Sequence, residues 1–206
     1  MNSIRLGTDF DNTIVSYEHV FPRATKALGI DVPDEIEGKP ELRRFLRGLP
    51  DGEILWQKVQ AEVYGRRMCE AEMETGFREA MQRCRAEGVP VTVVSHKTRF
   101  AAQDPDTDLH KASLQWMESN HFFNPDGLGF GRQDVYFEPT RKEKVRRIGS
   151  LGCTHFVDDL PEVFLNSDFP EGVARILYGQ GMERNADIDP ASDWSEIASI
   201  LFGCRV

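Results

Sequence analysis

The chain has 206 residues, room for one ordinary domain with a real core and a modest insertion. Hydrophobic residues make up 40% and charged residues 29%, and 34 acidic side chains against 25 Lys and Arg leave a formal net charge of −9, a poor balance for a general nucleic-acid binder. The first residues lack the apolar stretch of a signal peptide, no apolar run approaches the roughly 20 residues that span a bilayer, and Cys69, Cys84, Cys153 and Cys204 form no C-x-x-C pair. A cytoplasmic protein with reduced thiols and no membrane partner is therefore expected.

Residues 3–8 alternate apolar and polar and run into Asp9-Phe10-Asp11-Asn12-Thr13, the pattern of a short strand meeting a polar turn. Residues 17–87 read as helices. Leu42, Phe45, Leu46 and Leu49 recur at helical spacing, then Leu55, Val59 and Val63, then Phe77, Met81 and Cys84 before Gly88. Within this stretch Trp56 and Tyr64 read as packing residues. The β-branched run at 89–94 predicts a buried strand, and the polar stretch 98–108 predicts a loop. Asp108 can cap a helix carrying Leu109, Ala112, Trp116 and Met117. Residues 124–133 predict a loop and 134–137 a third strand. A basic helix over 141–150, with Val145 and Ile148 inward, follows. His155-Phe156-Val157 predicts a strand running into Asp158-Asp159, Val173 to Tyr178 a further strand, and Trp194, Ile197, Ala198 and Leu201 a terminal helix. Strands alternating with helices predict an α/β fold, an open parallel sheet of Rossmann-like type with helices on both faces.

Polar clusters fall at four strand or helix ends. Asp9 and Asp11 stand at i and i+2, on one side of an extended backbone, where two carboxylates repel unless a cation neutralises them. A hard divalent ion suits such a pair, although Asp and Asn are also common turn residues. Ser95 follows the strand 91–94 directly, where its hydroxyl can donate to a phosphate oxygen or simply start a turn. His96 beside it can touch a ligand or serve only as a local hydrogen-bonding partner. In the basic helix, one of Lys142 and Lys144 can reach an anion while the other faces solvent. Asp158 and Asp159 after an apolar strand invite a cation, or cap the next helix. His110 and His121 belong to no metal-binding pattern.

In the order Asp-x-Asp, Ser, Lys, Asp-Asp, these clusters resemble the four motifs of the haloacid dehalogenase superfamily of phosphohydrolases, over about residues 4–178. Lys144 looks like that family's lysine by its spacing from Ile148 and Leu151. The resemblance implies a Mg²⁺-dependent phosphomonoester hydrolase acting on a small phosphorylated substrate. Asp9 would be the nucleophile that becomes an aspartyl phosphate, and Asp11 the proton donor and acceptor. Asp9, Asp11 (through its carbonyl), Asp158 and Asp159 would hold the metal. Asn12, Thr13, Ser95, His96 and Lys144 would lie around the substrate phosphate. It also implies that 1–16 and 88–206 form the α/β core and that 17–87 form an inserted all-helical cap that closes over the site and selects the leaving group. A nucleotidase, a phosphotransferase or mutase, and a non-catalytic phosphate-binding module are the rival readings. The pattern specifies no oligomeric state.

Overall fold

The computed structural model describes residues 3–181 and 187–203, and the chain divides into two compact units. The first unit comprises Met1–Ser16, Met73–Lys97 and His121–Val206. Six strands form its sheet: β1 (Leu6–Thr8), β2 (Val91–His96), β3 (Val135–Glu138), β4 (His155–Asp158), β5 (Ala174–Tyr178) and β6 (Ile188–Ala191). All neighbouring strands are parallel, in the order β6-β5-β4-β1-β2-β3. The chain therefore builds outward from β1 through β2 to β3, then returns to the other side of β1 and builds outward again. This is the expected open parallel, Rossmann-like arrangement.

The local chemistry explains these elements. The β1 residues are all buried, and Gly7 is required by proximity: a Cβ there would lie 2.6 Å from Phe156 Cδ2 and 2.9 Å from Cys153 Sγ. The basic helix runs over Arg141–Ser150. Thr140 caps it, its hydroxyl oxygen accepting from the Glu143 amide at 3.1 Å. Val145 and Ile148 are fully buried in a cluster with Val94, Phe156, Val163, Phe164 and Leu177. On a second side of the core, Phe77 stacks on Phe122 at 5.6 Å and meets Trp194 edge-on at 4.8 Å.

The second unit comprises Tyr17–Glu72 and Thr98–Asn120. Its helices run over Val20–Ala27, Gly38–Arg47, Gly52–Ala61 and Leu109–Ser119. Trp56 stacks on Phe21 at 5.8 Å, a packing contact, and the Trp116 indole N–H donates to the Ala71 carbonyl at 2.8 Å. The Asp108 carboxylate caps its helix as the sequence suggests, accepting from the Lys111 amide at 2.9 Å.

Three features differ from expectation. The segment 98–108 is not a plain loop: Phe100–Ala101 pairs antiparallel with Asp104–Asp108. Asp and Pro are poor strand formers, and what holds this hairpin is side-chain chemistry, with Asp104 accepting from Thr107 Oγ1 at 2.6 Å and from Arg66 at 2.7 Å. The second unit is consequently not all helical. Its bounds also differ from 17–87, because the helix Phe77–Ala86 buries its apolar stripe with the first unit and 98–120 joins the second. Finally, β6 is absent from the sequence reading. Asp189-Pro190 disguises it, and Pro is tolerated there because β6 is an edge strand.

Cys84 and Cys153 are buried and Cys69 is exposed, all three as free thiols; Cys204 lies outside the described residues. No helix among the described residues is long and apolar enough to cross a membrane.

Gly7→Ala is expected to cost roughly 1–3 kcal/mol, the usual cost of overpacking a tight core. Urea unfolding of the variant measures it, and an unchanged midpoint would contradict the close approach of β1 to Phe156.

Candidate functional site

The sheet order reverses direction between β1 and β4, and the candidate residues gather at the carboxyl ends of the strands around that point. In open α/β sheets this crevice is where ligands bind. Thr8 is in register with Val93 on one side and Val157 on the other. Beyond it the Asp9 amide donates to the Val157 carbonyl at 2.8 Å, so Asp9 emerges beside Asp158, the last residue of β4.

The loop that follows is held from below. Phe10 and Ile14 are fully buried, and the Phe10 carbonyl accepts from the amides of Ile14 and Val15 at 3.0 and 3.2 Å. Asn12 takes a left-handed conformation at φ +57°, a region that Asn tolerates better than most residues. The Trp194 indole N–H donates to the Thr13 carbonyl at 2.7 Å. Alternation then sends Phe10 into the core and frees Asp9 and Asp11 on either side of it.

The site's charges are closely coupled. One carboxylate oxygen each from Asp9, Asp158 and Asp159 lies within 4.8 Å of the others. Lys144, almost wholly buried, places its ammonium 2.8 Å from Asp9 Oδ1 and 2.6 Å from Asp158 Oδ2. Asp158 Oδ1 also accepts from the Leu160 amide at 3.1 Å, and the Asn12 side-chain amide donates to Asp159 Oδ2 at 3.3 Å. Burial alone would lower the Lys144 pKa, but the Asp158 and Asp9 carboxylates outweigh it and hold the ammonium above its ordinary value. Burial pushes the Asp158 carboxyl up to about 7; Lys144 opposes the rise and Asp9 adds to it.

One ammonium among three carboxylates leaves an excess of negative charge. Oxygen-only donors at this spacing fit a hard divalent cation such as Mg²⁺. The Ser95 hydroxyl fits an anionic ligand equally well: it is buried, with no hydrogen-bond partner among the described residues, a situation that costs about 1–3 kcal/mol unless a ligand atom satisfies it.

The remaining expected residues are distributed around this centre. The Asp11 carboxylate is not in the three-carboxylate cluster; the Lys97 ammonium binds it, 2.9 Å from each of its oxygens. His96 sits at the surface with its ring partly enclosed, and that partial burial together with the Lys144 charge holds its pKa below the usual imidazole range. Thr13 is fully buried, with its hydroxyl enclosed. Lys142 faces outward, 4.0 Å from Asp168, with both side chains half exposed or more.

Lys97 is the residue that the sequence reading passed over. A lysine two places after a strand-end serine looks like solvated polarity, yet its side chain is only 4% exposed. The available signal was the run Ser95-His96-Lys97, which places a cation next to the Asp-x-Asp turn once β1 and β2 are paired.

No protein-family model and no curated protein matches the sequence. Among solved structures, the chain is similar to a haloacid dehalogenase-like family hydrolase from Streptococcus pneumoniae, with a TM-score of 0.61 at 15% identity over 97% of this chain and 99% of that one. The chain has the haloacid dehalogenase fold. The same fold likeness extends to Protein Tyrosine Kinase A of Mycobacterium tuberculosis, with a TM-score of 0.64 at 16% identity over 98% and 100% of the two chains. It extends also to a predicted phosphoglycolate phosphatase from Haemophilus somnus, with a TM-score of 0.56 at 16% identity over 97% and 98%.

Two outcomes follow from these charges. Lys144→Ala strands two buried carboxylates and is expected to cost about 3–5 kcal/mol in metal-free buffer. Lys142→Ala, on the surface, is expected to stay within about 0.5 kcal/mol. Urea titrations of both variants check the ranking. Asp158 has a folded pKa above its unfolded value of roughly 3.9, so its stabilising contribution is complete below about pH 4 and is lost as pH rises through about 7. Cation binding needs the ionised form. The rise in melting temperature given by Mg²⁺ is therefore expected to be small at pH 5 and larger at pH 8. Equal shifts at the two pH values would remove Asp158 from the cation's ligands.

Proposed function

We propose that this chain is a Mg²⁺-dependent phosphomonoester hydrolase of the haloacid dehalogenase superfamily, acting on a small phosphorylated metabolite through an aspartyl phosphate on Asp9. The observation that carries this reading is the convergence of Asp9, Asp158 and Asp159 at the sheet's reversal point, with Lys144 between the first two.

A carboxylate does not approach a phosphate dianion unaided. At about 4 Å and an effective dielectric near 20, one pair of like charges is worth about 4 kcal/mol of repulsion. Asp9, Asp158 and Asp159 would hold Mg²⁺, with the Asp11 carbonyl as a further donor. The bound ion supplies the positive charge that offsets this repulsion and polarises the phosphoryl group. Lys144 neutralises Asp9 and Asp158 from within the protein, and Ser95 offers its unpaired hydroxyl to a phosphoryl oxygen.

Asp9 attacks phosphorus as the ester bond breaks, and Asp11 gives its proton to the departing oxygen. Asp11, now a carboxylate, takes a proton from water as that water attacks the aspartyl phosphate. Free phosphate leaves and Asp9 is restored. His96, whose pKa is held below the usual imidazole range, can offer hydrogen bonding at the rim. Thr13, enclosed beneath the loop, serves to anchor it through Trp194.

A phosphotransferase is the second reading, supported by the fold likeness to a protein named as a tyrosine kinase. It shares the first half of this chemistry and differs in the acceptor.

Turnover of p-nitrophenyl phosphate with Mg²⁺, its loss with EDTA, and a drop of at least about 10³-fold in Asp9→Asn are the expected results. Phosphate release measured with water as the only acceptor separates hydrolysis from transfer. An Asp9→Asn variant with ordinary activity would overturn the nucleophile assignment.

A further inference from the structure

We infer that Lys97 is a positioning residue that fixes the Asp11 carboxyl for proton transfer to the leaving oxygen. The inference rests on the proposed role of Asp11 and adds to it a residue outside the four motifs.

Lysine is rarely buried unless paired. Here the Lys97 side chain is 4% exposed, and its ammonium lies 2.9 Å from both oxygens of Asp11. It also sits 5.5 Å from the centroid of Phe10, the buried residue that separates Asp9 from Asp11. The backbone is fixed as well, since the Lys97 amide donates to the Glu138 carbonyl at 2.9 Å, continuing the β2–β3 ladder. The ammonium is therefore referenced to the sheet, not to a mobile surface chain.

Asp11 needs such a reference. Its side chain is 19% exposed and lies beyond the strand, in the loop where Asn12 turns left-handed. A carboxyl there can rotate about its own bonds. General acid catalysis demands a heavy-atom approach of about 3 Å in one direction, and a misplacement of about 1 Å can cost about 10²-fold. Contact with Lys97 fixes the plane of the carboxyl. In the structure both oxygens face the ammonium, the arrangement of the carboxylate that takes a proton from the attacking water; in the acid form one oxygen keeps that contact while the other turns to carry the proton that moves to the ester oxygen as the P–O bond breaks. The proton returns to Asp11 from the attacking water, and Lys97 neither gains nor loses one.

An ion pair that only stabilised the fold would have different kinetic consequences. The test uses the full chain with Mg²⁺ and two substrates of one shape, p-nitrophenyl phosphate and phenyl phosphate. The second has the more basic leaving oxygen, about that of a tyrosine phenol near 10, and depends more on a proton donor. Lys97→Met is expected to lower kcat on phenyl phosphate at least about tenfold more than on p-nitrophenyl phosphate, with KM changed less than about threefold. Asp11→Asn should show the same split, and adding Lys97→Met to it should cost no further kcat, the non-additivity expected of residues acting as a unit. Lys97→Arg, which keeps the charge, should recover part of the loss. Circular dichroism reports folding, and Lys97→Gln replaces the Met variant should that one not fold.

Equal losses on both substrates, or losses that multiply with those of Asp11→Asn, would overturn the inference while leaving Asp11 as the acid. If Asp11→Asn itself shows no split, the acid assignment falls and the inference with it.

Discussion

The ammonium of Lys144 stands between the carboxylates of Asp9 and Asp158 in a place nearly sealed from water, and much of the first unit serves to put it there. Taking a charge out of water costs several kcal/mol even after relaxation, and only close geometry with further hydrogen bonds compensates. The structure supplies both. Thr140 starts the helix, Val145 and Ile148 seat it on the core, and Lys144, on the same side as Ile148, is thereby directed at the sheet edge. The Leu160 amide takes up a remaining oxygen of Asp158. A buried pair of this kind is weak as a source of stability, because an apolar replacement often does as well. Its presence accords with the proposed function, in which these two carboxylates are kept close enough to share a cation.

The topology makes this possible across large sequence distances. Asp9 and Asp158 are far apart in the chain, yet β1 and β4 are adjacent because the sheet is built outward twice from one centre. The reversal leaves no crossover passing over that strand end, so polar groups can accumulate there without displacing core residues. Gly7 contributes by letting β1 lie against Phe156, which brings the two acidic strand ends to hydrogen-bonding range through the Asp9 amide and the Val157 carbonyl.

The parts of this arrangement that were legible in the sequence are those governed by local pattern. Val91–Val94 is β-branched, Phe156–Val157 is apolar and followed by two acids, and Val145 with Ile148 marks the inner face of a helix on which only one of Lys142 and Lys144 can turn inward, the pattern itself leaving open which one. Each is a short-range rule. What escaped was set by tertiary contact. The hairpin at 100–108 consists of residues that disfavour strands and is held by Arg66 and Thr107. The strand at 188–191 survives a proline only because it is an edge. The helix at 77–86 has the same kind of apolar stripe as those before it, and nothing local says that its partners are Phe122 and Trp194. Lys97 escaped for the same reason: its burial is a property of the β1–β2 pairing and of Asp11, neither of which is a neighbour in sequence.

Asn12 shows how conformation and chemistry converge on one residue type. The loop between Asp9 and Val15 needs a left-handed residue at this position, and glycine would satisfy that need with less strain. Glycine, however, has no side chain to reach Asp159. The Asn12 amide does so at 3.3 Å, joining the loop after β1 to the residue that follows β4. Asp158 is sealed and clamped by Lys144, whereas Asp159 is only partly buried and is held from the loop. Two adjacent acids are thus secured by different elements, one by a helix and one by a turn. An aspartate at position 12 could adopt the same backbone but would set a like charge against Asp159. Asparagine is the residue that meets the backbone requirement and supplies a donor while adding no charge to a site already rich in carboxylates.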